Sequence, residues 1–384
     1  MKNKLNFKLA ANFSARTLLS DPVIDALSSV TAILVGLLAG LIILFFTNAV
    51  QALHGFESIL IGGFSNLSDL GQVLYFATPI IMTGLSVGFS AKTGLFNIGA
   101  AGQFIVGAYA AVLVGVRCDF LPGHLHWITA LLAAILAGAI WGAIPGIFKA
   151  LFNVNEVISC IMTNYIGMYL VNFLVTKTVY NSLQNQSMRV TNSANLPKMG
   201  LDQIFRDGFI VSSANSGILI AVIFAVLIFF ILEKTSFGYE LKACGFNREA
   251  ARYAGINEKR SIILSMIIAG ALSGLGGALL YLAGSGKGIN VVDVLAQEGF
   301  NGIPVALLGL NNPIGIIFSG LLVAHLKVGG DNMQLFGFPP QIIEIIIAVI
   351  IYFSAFALIV KNFFNSFKKR EAAKEAPARK GGGV

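Results

Sequence analysis

The chain has 384 residues, of which 56% are hydrophobic and only 11% are charged, and its mean hydropathy is +0.80. Soluble domains carry roughly a quarter charged residues, so this composition excludes a soluble single-core protein and indicates a polytopic membrane protein. The formal net charge of +8 would suit a nucleic-acid partner, but the distribution of the basic residues argues against one.

The three cysteines, Cys118, Cys160 and Cys244, lie far apart and in no metal-ligand spacing, so we expect free structural thiols. No cleavable secretory signal is evident. The first twenty residues are polar and basic, and the apolar run that follows is long enough to span a bilayer and to remain as an anchor.

Apolar runs of about twenty residues, cut by charges or by Gly and Pro clusters, predict an all-α integral membrane protein with about ten transmembrane helices. The predicted spans are 27–47, 69–90, 95–116, 126–149, 156–176, 215–233, 261–282, 290–309, 313–328 and 340–361. Polar residues and glycines interrupt the second, eighth and ninth. Sets of glycines four residues apart, at 138, 142 and 146 and at 270 and 274, put small residues on one helix face for close helix packing.

The distribution of Lys and Arg predicts that both termini are cytoplasmic. With the N terminus inside, nineteen basic residues lie in cytoplasmic segments and seven, including Lys327, in external ones, as the positive-inside rule requires. The basic excess is therefore a topology signal, and we expect no nucleic-acid partner. The predicted regions are a cytoplasmic segment 1–26, a membrane domain 27–361, and a disordered basic tail 362–384 near the anionic inner-leaflet lipid.

Two long connections interrupt the membrane domain. The external loop 178–214 is rich in Asn, Ser and Gln, and is either a structureless linker or a cap that meets a delivery protein. The cytoplasmic loop 234–260 holds a charged stretch that cannot lie in lipid. Within it, Asn247–Gly255 is typical of a short helix, with Asn247 as N-cap and Gly255 as its left-handed end.

The same short helix has alternative interpretations. Ala250, Ala251 and Ala254 would form a small-residue face against which another protein could pack closely. The simpler interpretation is an ordinary amphipathic loop between two spans.

The segment 84–109 combines glycines with amide side chains close to bilayer depth, notably Asn97 and Gln103. Irregular backbone and amides are tolerated there only when they are buried in protein or line a wet cavity. The segment is therefore either a kinked helix pair with satisfied amides or a wall of a translocation path. Asn164 is a further pathway candidate, whereas Glu344, near the end of the last span, is interpreted as a snorkelling side chain.

Three stretches carry a family resemblance. The sequence E-A-A at 249–251, followed by Gly255, resembles the E-A-A…G coupling loop of binding-protein-dependent ABC importer permeases, and 245–256 is similar to their nucleoside and simple-sugar branch. Residues 94–103 read G-L-F-N-I-G-A-A-G-Q, where that branch has G-L-F-N-I-G-A-E-G-Q, so Ala101 replaces a carboxylate. Residues 299–309, G-F-N-G-I-P-V-A-L-L-G, are similar to G-F-x-G-I-x-V-A-L-L-G.

The resemblance, which covers most of residues 80–310, implies a fold like that of the vitamin B12-type importer permeases. It also implies three protein partners, namely an ATPase subunit with tandem nucleotide-binding domains, a second permease chain and a lipid-anchored external binding protein. No cofactor is implied. The residues implied to contact the ATPase are Glu249, Ala250, Ala251, Arg252 and Gly255.

Nucleosides, with ribose-like sugars as the alternative cargo, are neutral, polar, ring-bearing solutes that amides and aromatic rings could bind. The candidate pathway residues are Phe96, Asn97, Gln103, Asn164, Phe300 and Asn301. A secondary transporter would need paired intramembrane charges, of which the central spans are nearly free. An exporter or a membrane enzyme would not explain the E-A-A…G loop.

Overall fold

The structure, a computed structural model, describes residues 21–356, 359–363 and 365–366. Its helices are α1 (Asp21–Thr47), α2 (Ala52–Ile61), α3 (Leu67–Lys92), α4 (Ala100–Arg117), α5 (Gly123–Phe152), α6 (Glu156–Thr178), α7 (Leu201–Ile204), α8 (Gly217–Lys234), α9 (Ser236–Phe246), α10 (Arg248–Tyr253), α11 (Glu258–Tyr281), α12 (Gln297–Leu308), α13 (Pro313–Asn332) and α14 (Pro340–Ala355). Within the described residues, eight are long and apolar enough to cross a membrane. These are α1, α3, α4, α5, α6, α8, α11 and α13.

Eight predicted spans coincide with these long helices, which confirms an all-α membrane protein. The other two differ, because 290–309 holds only the 12-residue α12 and 340–361 holds the 16-residue α14. The stretch 291–295 is irregular, and its start is held against the 179–216 segment. Asn290 forms a β-bridge with Gln186, and the Val291 amide donates to the Asn185 carbonyl at 3.0 Å. The first twenty residues and most of the predicted tail, from residue 367, lie outside the described residues.

The spans α3 and α11 are the most deeply buried, and α5 packs along α11. The crossing depends on glycine, because a Cβ on Gly138 would lie 2.3 Å from the carbonyl oxygen of Gly270. A Cβ on Gly142 would lie 2.4 Å from the carbonyl oxygen of Met266. The predicted close packing at these glycines is therefore confirmed.

The connection between α6 and α8 is ordered. It contains two antiparallel hairpins, one pairing β1 (Tyr180–Asn181) with β2 (Gln186–Ser187) and the other pairing β3 (Arg206–Asp207) with β4 (Ile210–Val211). The amide of Leu196 donates to the carbonyl of Leu282 at 2.8 Å, which ties the connection to the end of α11. The segment is therefore not a structureless linker, which was one of the two alternatives for it.

The connection between α8 and α11 folds into α9 and α10, and side-chain caps start each helix. The Asn247 side chain accepts a hydrogen bond from the Ala250 amide at 3.1 Å, and Gly255 follows α10 with φ +80°. The predicted N-cap and left-handed end are thus confirmed. The predicted small-residue face is smaller than expected, because Ala251 is buried against the protein while Ala250 and Ala254 are exposed.

Candidate functional site

The loop between α3 and α4 is held by a buried amide pair. Asn97 donates to Gln103 Oε1 at 2.8 Å, and Gln103 donates back to Asn97 Oδ1 at 3.1 Å. Asn97 also donates to Ser86 Oγ on α3 at 3.1 Å. Both amides are inaccessible to solvent. Their hydrogen-bonding groups are satisfied within the protein, so they fix the shape of the loop.

Asn164 ties this loop to α6. Its Oδ1 accepts from the Gly102 amide at 2.8 Å, and its Nδ2 donates to the Ile98 carbonyl at 3.0 Å. Asn164 is buried, and a Cβ on Gly102 would lie 2.9 Å from Asn164 Oδ1. The structure therefore brings three predicted pathway residues together, in a network whose amides pair with protein groups.

The aromatic candidates and Asn301 lie elsewhere. Phe96 is partly exposed in the same loop. Phe300 and Asn301, in the first turns of α12, line a separate cavity together with residues of α3, α13 and α14. Of the six predicted pathway residues, three therefore belong to the buried hydrogen-bond network, one is the aromatic side chain in the loop, and two line the cavity.

The structure also explains the alanine at position 101. A Cβ on Gly299 would lie 2.3 Å from the Ala101 Cα, so α12 begins in backbone contact with α4. Ala101 is 1% exposed. In this packing, a glutamate at position 101 would have its carboxylate inside the protein at the α4–α12 contact.

Replacing Ala101 with glutamate is expected to destabilise the protein by several kcal/mol, about 3 or more, because a carboxylate buried without a partner loses its hydration. The melting temperature of the detergent-purified protein measures this effect. The variant Ala101→Gly adds no bulk and serves as control, with an expected cost of about 1 kcal/mol. Wild-type melting of the glutamate variant would contradict the close contact between α4 and α12.

The cavity beside α12 has a volume of about 560 Å³. Apolar side chains from α3, α13 and α14 form one part of its wall, and polar side chains gather in another part. The polar lining residues are Gln297, Asn301, Lys327, Asp331, Gln341 and Glu344. The Lys327 Nζ lies 4.9 Å from the centre of the Phe76 ring, in cation–π contact.

Asp331 and Glu344 are exposed although they belong to apolar helices. Ionisable groups in membrane helices almost always face a water-filled cavity or another polypeptide, since exposure to lipid is costly. No group of three or more His, Cys, Asp and Glu side chains in the described part of the chain could hold a metal ion. The open polar face is thus suited to a hydrated path or to a second chain.

Sequence reasoning missed most of this cavity. It placed Lys327 in an external connection and interpreted Glu344 as snorkelling, and it singled out neither Asp331 nor Gln341. A signal was present, since Lys327 and Asp331 lie four residues apart and therefore on one face of an otherwise apolar helix.

The predicted coupling residues form an exposed surface. Glu249, Ala250, Arg252 and Gly255 are exposed, whereas Ala251 faces inward. Two apolar residues that were not predicted are even more prominent, because Tyr253 is 93% and Phe246 is 89% exposed. Exposed large aromatic residues on a charged surface are typical anchors of protein–protein contacts.

The helix that precedes this surface, α9, contacts the loop between α3 and α4 directly through two glycines. A Cβ on Gly245, in α9, would lie 2.8 Å from the Gly94 amide nitrogen. Gly94 has φ +76°, a conformation that glycine adopts without strain. Thr93 in the same loop also shares a side-chain hydrogen bond with Ser265 of α11. The loop that carries Asn97 is therefore fastened to both α9 and α11.

Comparison with known proteins identifies the class. Residues 70–355 match the family described as the branched-chain amino acid transport system / permease component, and the chain belongs to this family. It is therefore a multi-pass membrane permease component.

Its relatives are similar over most of their length. The guanosine ABC transporter permease protein NupP of Bacillus subtilis is 38% identical, with 89% of this chain and 96% of the relative covered. The nucleoside ABC transporter permease protein NupB of Lactococcus lactis is 35% identical, with 91% and 96% covered. The glucose ABC transporter permease protein TsgB13 of Haloferax volcanii is 33% identical, with 82% and 83% covered.

The first two organisms each contain a second relative. NupQ of Bacillus subtilis, also described as a guanosine ABC transporter permease protein, is 26% identical, with 70% of this chain and 84% of the relative covered. NupC of Lactococcus lactis, also described as a nucleoside ABC transporter permease protein, is 26% identical, with 68% and 83% covered.

Proposed function

We propose that this chain is the membrane-spanning permease subunit of an ATP-driven importer that carries nucleosides across the cell membrane. The main observation that supports this proposal is the similarity, over about nine-tenths of the chain, to permeases of guanosine and nucleoside ABC transporters. The cavity beside α12 supports it, because one aromatic ring and several amides suit a neutral heterocycle with a sugar. A simple sugar is the second candidate cargo, favoured by the relative described as a glucose permease.

The proposed topology has ten crossings with both termini in the cytoplasm, and a fold of the vitamin B12-type permease class. The eight long helices supply eight crossings, and α12 and α14 with their flanking residues supply the other two. Support comes from the excess of basic residues in the segments assigned to the cytoplasm. In this arrangement α9 and α10 face the cytoplasm and the two hairpins face outward.

The proposed assembly contains a separate ATPase subunit with tandem nucleotide-binding domains, a second permease chain and a lipid-anchored binding protein. A second permease chain is supported by the pairs of related permeases in two organisms. It is also supported by the exposed Asp331 and Glu344, which a facing chain would shield from lipid. ATP is hydrolysed by the partner, and this chain is not an enzyme.

In the proposed mechanism, the exposed residues of the 234–260 connection dock on the ATPase, and their movement opens the pathway to one side or the other. Phe300 and Asn301 line the pathway within the cavity, and Phe96 lies nearer its cytoplasmic end. The buried Asn97, Gln103 and Asn164 act by positioning the loop that contacts Gly245.

The proposal is tested by uptake of labelled guanosine, uridine and ribose in cells with and without the gene, with ATP depletion as a control. Loss of ATP-dependent nucleoside uptake alone is the expected result. Loss of ribose uptake alone would support the same kind of importer with a simple sugar as its substrate. Unchanged uptake of all three solutes would contradict the proposed function.

Replacing Gly255 with tryptophan is expected to abolish most ATP-dependent uptake. No atom lies within 4 Å of a Cβ at this position, so the indole would project from the surface assigned to the ATPase. Gly200 provides a matched control, because it also has positive φ and an open Cβ position but lies in the external connection. If Gly255→Trp transports as well as Gly200→Trp, this surface does not dock the ATPase.

A further inference from the structure

The cavity beside α12 differs in chemistry between its two ends. Ile80 lies about 20 Å along α3 from the first residue of that helix, at about 1.5 Å of rise per residue, and Val323 faces it from α13. Asp331 lies at the opposite end, next to the last residue of α13. The end of α13 lies beside the start of α3, because the Asn332 side chain donates a hydrogen bond to the Asp69 carboxylate at 3.4 Å. The cavity is therefore apolar at mid-membrane depth and polar near its outer mouth.

Three ionisable side chains meet at the polar mouth. Lys327, Asp331 and Glu344 all line this cavity, and Lys327 and Asp331 lie about one helical turn apart on α13. In the part of the chain that the structure describes, Lys327 forms no ion pair with Asp331 or Glu344, and its ammonium lies over the Phe76 ring. Asp331 and Glu344 are both exposed and line the cavity, as do the amide side chains of Gln297 and Gln341.

We propose that this mouth binds the ribose ring through its 2′ and 3′ hydroxyls, and that the permease consequently favours ribonucleosides over 2′-deoxyribonucleosides. The inference rests on the proposed nucleoside function and specifies which part of the substrate the permease recognises. An ionised carboxylate only accepts hydrogen bonds, and an acidic side chain on a ribose 2′-hydroxyl is a common way of recognising that sugar. Lys327 donates to hydroxyl oxygens from the neighbouring turn.

The base occupies the deeper part of the cavity. Phe300 offers a phenyl face on which any base can stack, since every base has a π face, and Ile80 and Val323 complete an apolar surround. Asn301 is the amide nearest in sequence to that ring and can meet a base edge. Because the sugar is common to all ribonucleosides, a site that recognises the sugar binds purine and pyrimidine ribonucleosides alike.

The test uses the complete importer in cells that lack the chromosomal gene and express wild-type or variant permease. Uptake of labelled guanosine, 2′-deoxyguanosine and uridine is measured for Asp331→Asn, Glu344→Gln and their combination. The binding protein is the same in every strain, so a change in the ratio between two substrates reports on the permease. Glu57→Gln is the matched control, because this carboxylate is exposed on α2 and does not line the cavity.

The double variant is expected to lose about tenfold in guanosine uptake, the effect of weakening one or two charge-assisted hydrogen bonds. Uptake of 2′-deoxyguanosine, which keeps the 3′ hydroxyl but lacks the 2′ hydroxyl, should fall less than uptake of guanosine, and Glu57→Gln should match wild type. An equal loss for both sugars would overturn the inference, as would a changed guanosine-to-uridine ratio with an unchanged ribose-to-deoxyribose ratio. Absence of any nucleoside uptake by wild type would instead overturn the proposed function.

Discussion

The variant Gly138→Val is expected to fail to accumulate as folded protein. A Cβ at this position would lie 2.3 Å from the Gly270 carbonyl oxygen and 2.9 Å from the Gly274 Cα. Both contacts are with backbone, so no rotamer change can relieve them, and α5 and α11 would have to separate. Overpacking a core typically costs about 1–3 kcal/mol, and valine adds two further carbons at a backbone crossing, so we expect at least about 3 kcal/mol.

The measurement is the fraction of protein that remains monodisperse after extraction in mild detergent, together with its melting temperature. Gly123→Val is the matched control, because Gly123 is the first residue of the same helix and no atom lies within 4 Å of its Cβ position. The control should behave like wild type within about 0.5 kcal/mol. Equal yields and melting temperatures for the two variants would show that α5 and α11 do not cross at Gly138.

Replacing Gly245 with alanine is expected to uncouple ATP hydrolysis from transport. The added methyl would lie 2.8 Å from both the Gly94 nitrogen and the Thr93 carbonyl carbon, so α9 and the loop before α4 must move apart. That loop carries Asn97, whose amide pairs with Gln103 at the start of α4. In the proposed mechanism, the contact between Gly94 and Gly245 therefore links the surface assigned to the ATPase with the membrane domain.

The readout is the number of ATP molecules hydrolysed per nucleoside taken up, in complexes that still contain the ATPase subunit. We expect uptake to fall about tenfold or more while ATP hydrolysis persists. The variant Gly123→Ala, at the far end of α5, controls for addition of a methyl without a contact. A wild-type ratio in a stable Gly245→Ala complex would place the coupling route elsewhere, through α11 or α6.

The two proposals concern different regions and fail independently. The proposed coupling depends on backbone contact at Gly245, beyond the end of α3, whereas the proposed sugar recognition depends on Asp331 and Glu344, near the start of α3. A variant that changes substrate ratios without changing ATP use, and one that changes ATP use without changing substrate ratios, would together separate binding from energy transfer.

Features that depend on local sequence were predictable. Eight spans follow from apolar runs long enough to cross a bilayer. Asn247 caps the start of α10, and Gly255 follows the helix with positive φ, because cap chemistry involves only neighbouring residues. The glycine spacing on α5 and α11 predicted a close crossing because the period of a helix places such residues on one face.

Only the tertiary structure decided which groups meet. From the sequence, Asn97 and Gln103 could either line a translocation path or be satisfied within a kinked helix pair. In the structure they pair with each other, because the loop before α4 places Asn97 against the first turn of that helix. The run at 290–309 has the composition of a span, yet Asn290 forms a β-bridge with Gln186 and the Val291 amide donates to Asn185. Such contacts between distant segments cannot be read from a hydrophobic pattern. The cavity likewise combines side chains from four helices, and its polar mouth exists because helix packing brings Asp331 and Glu344 to the same opening.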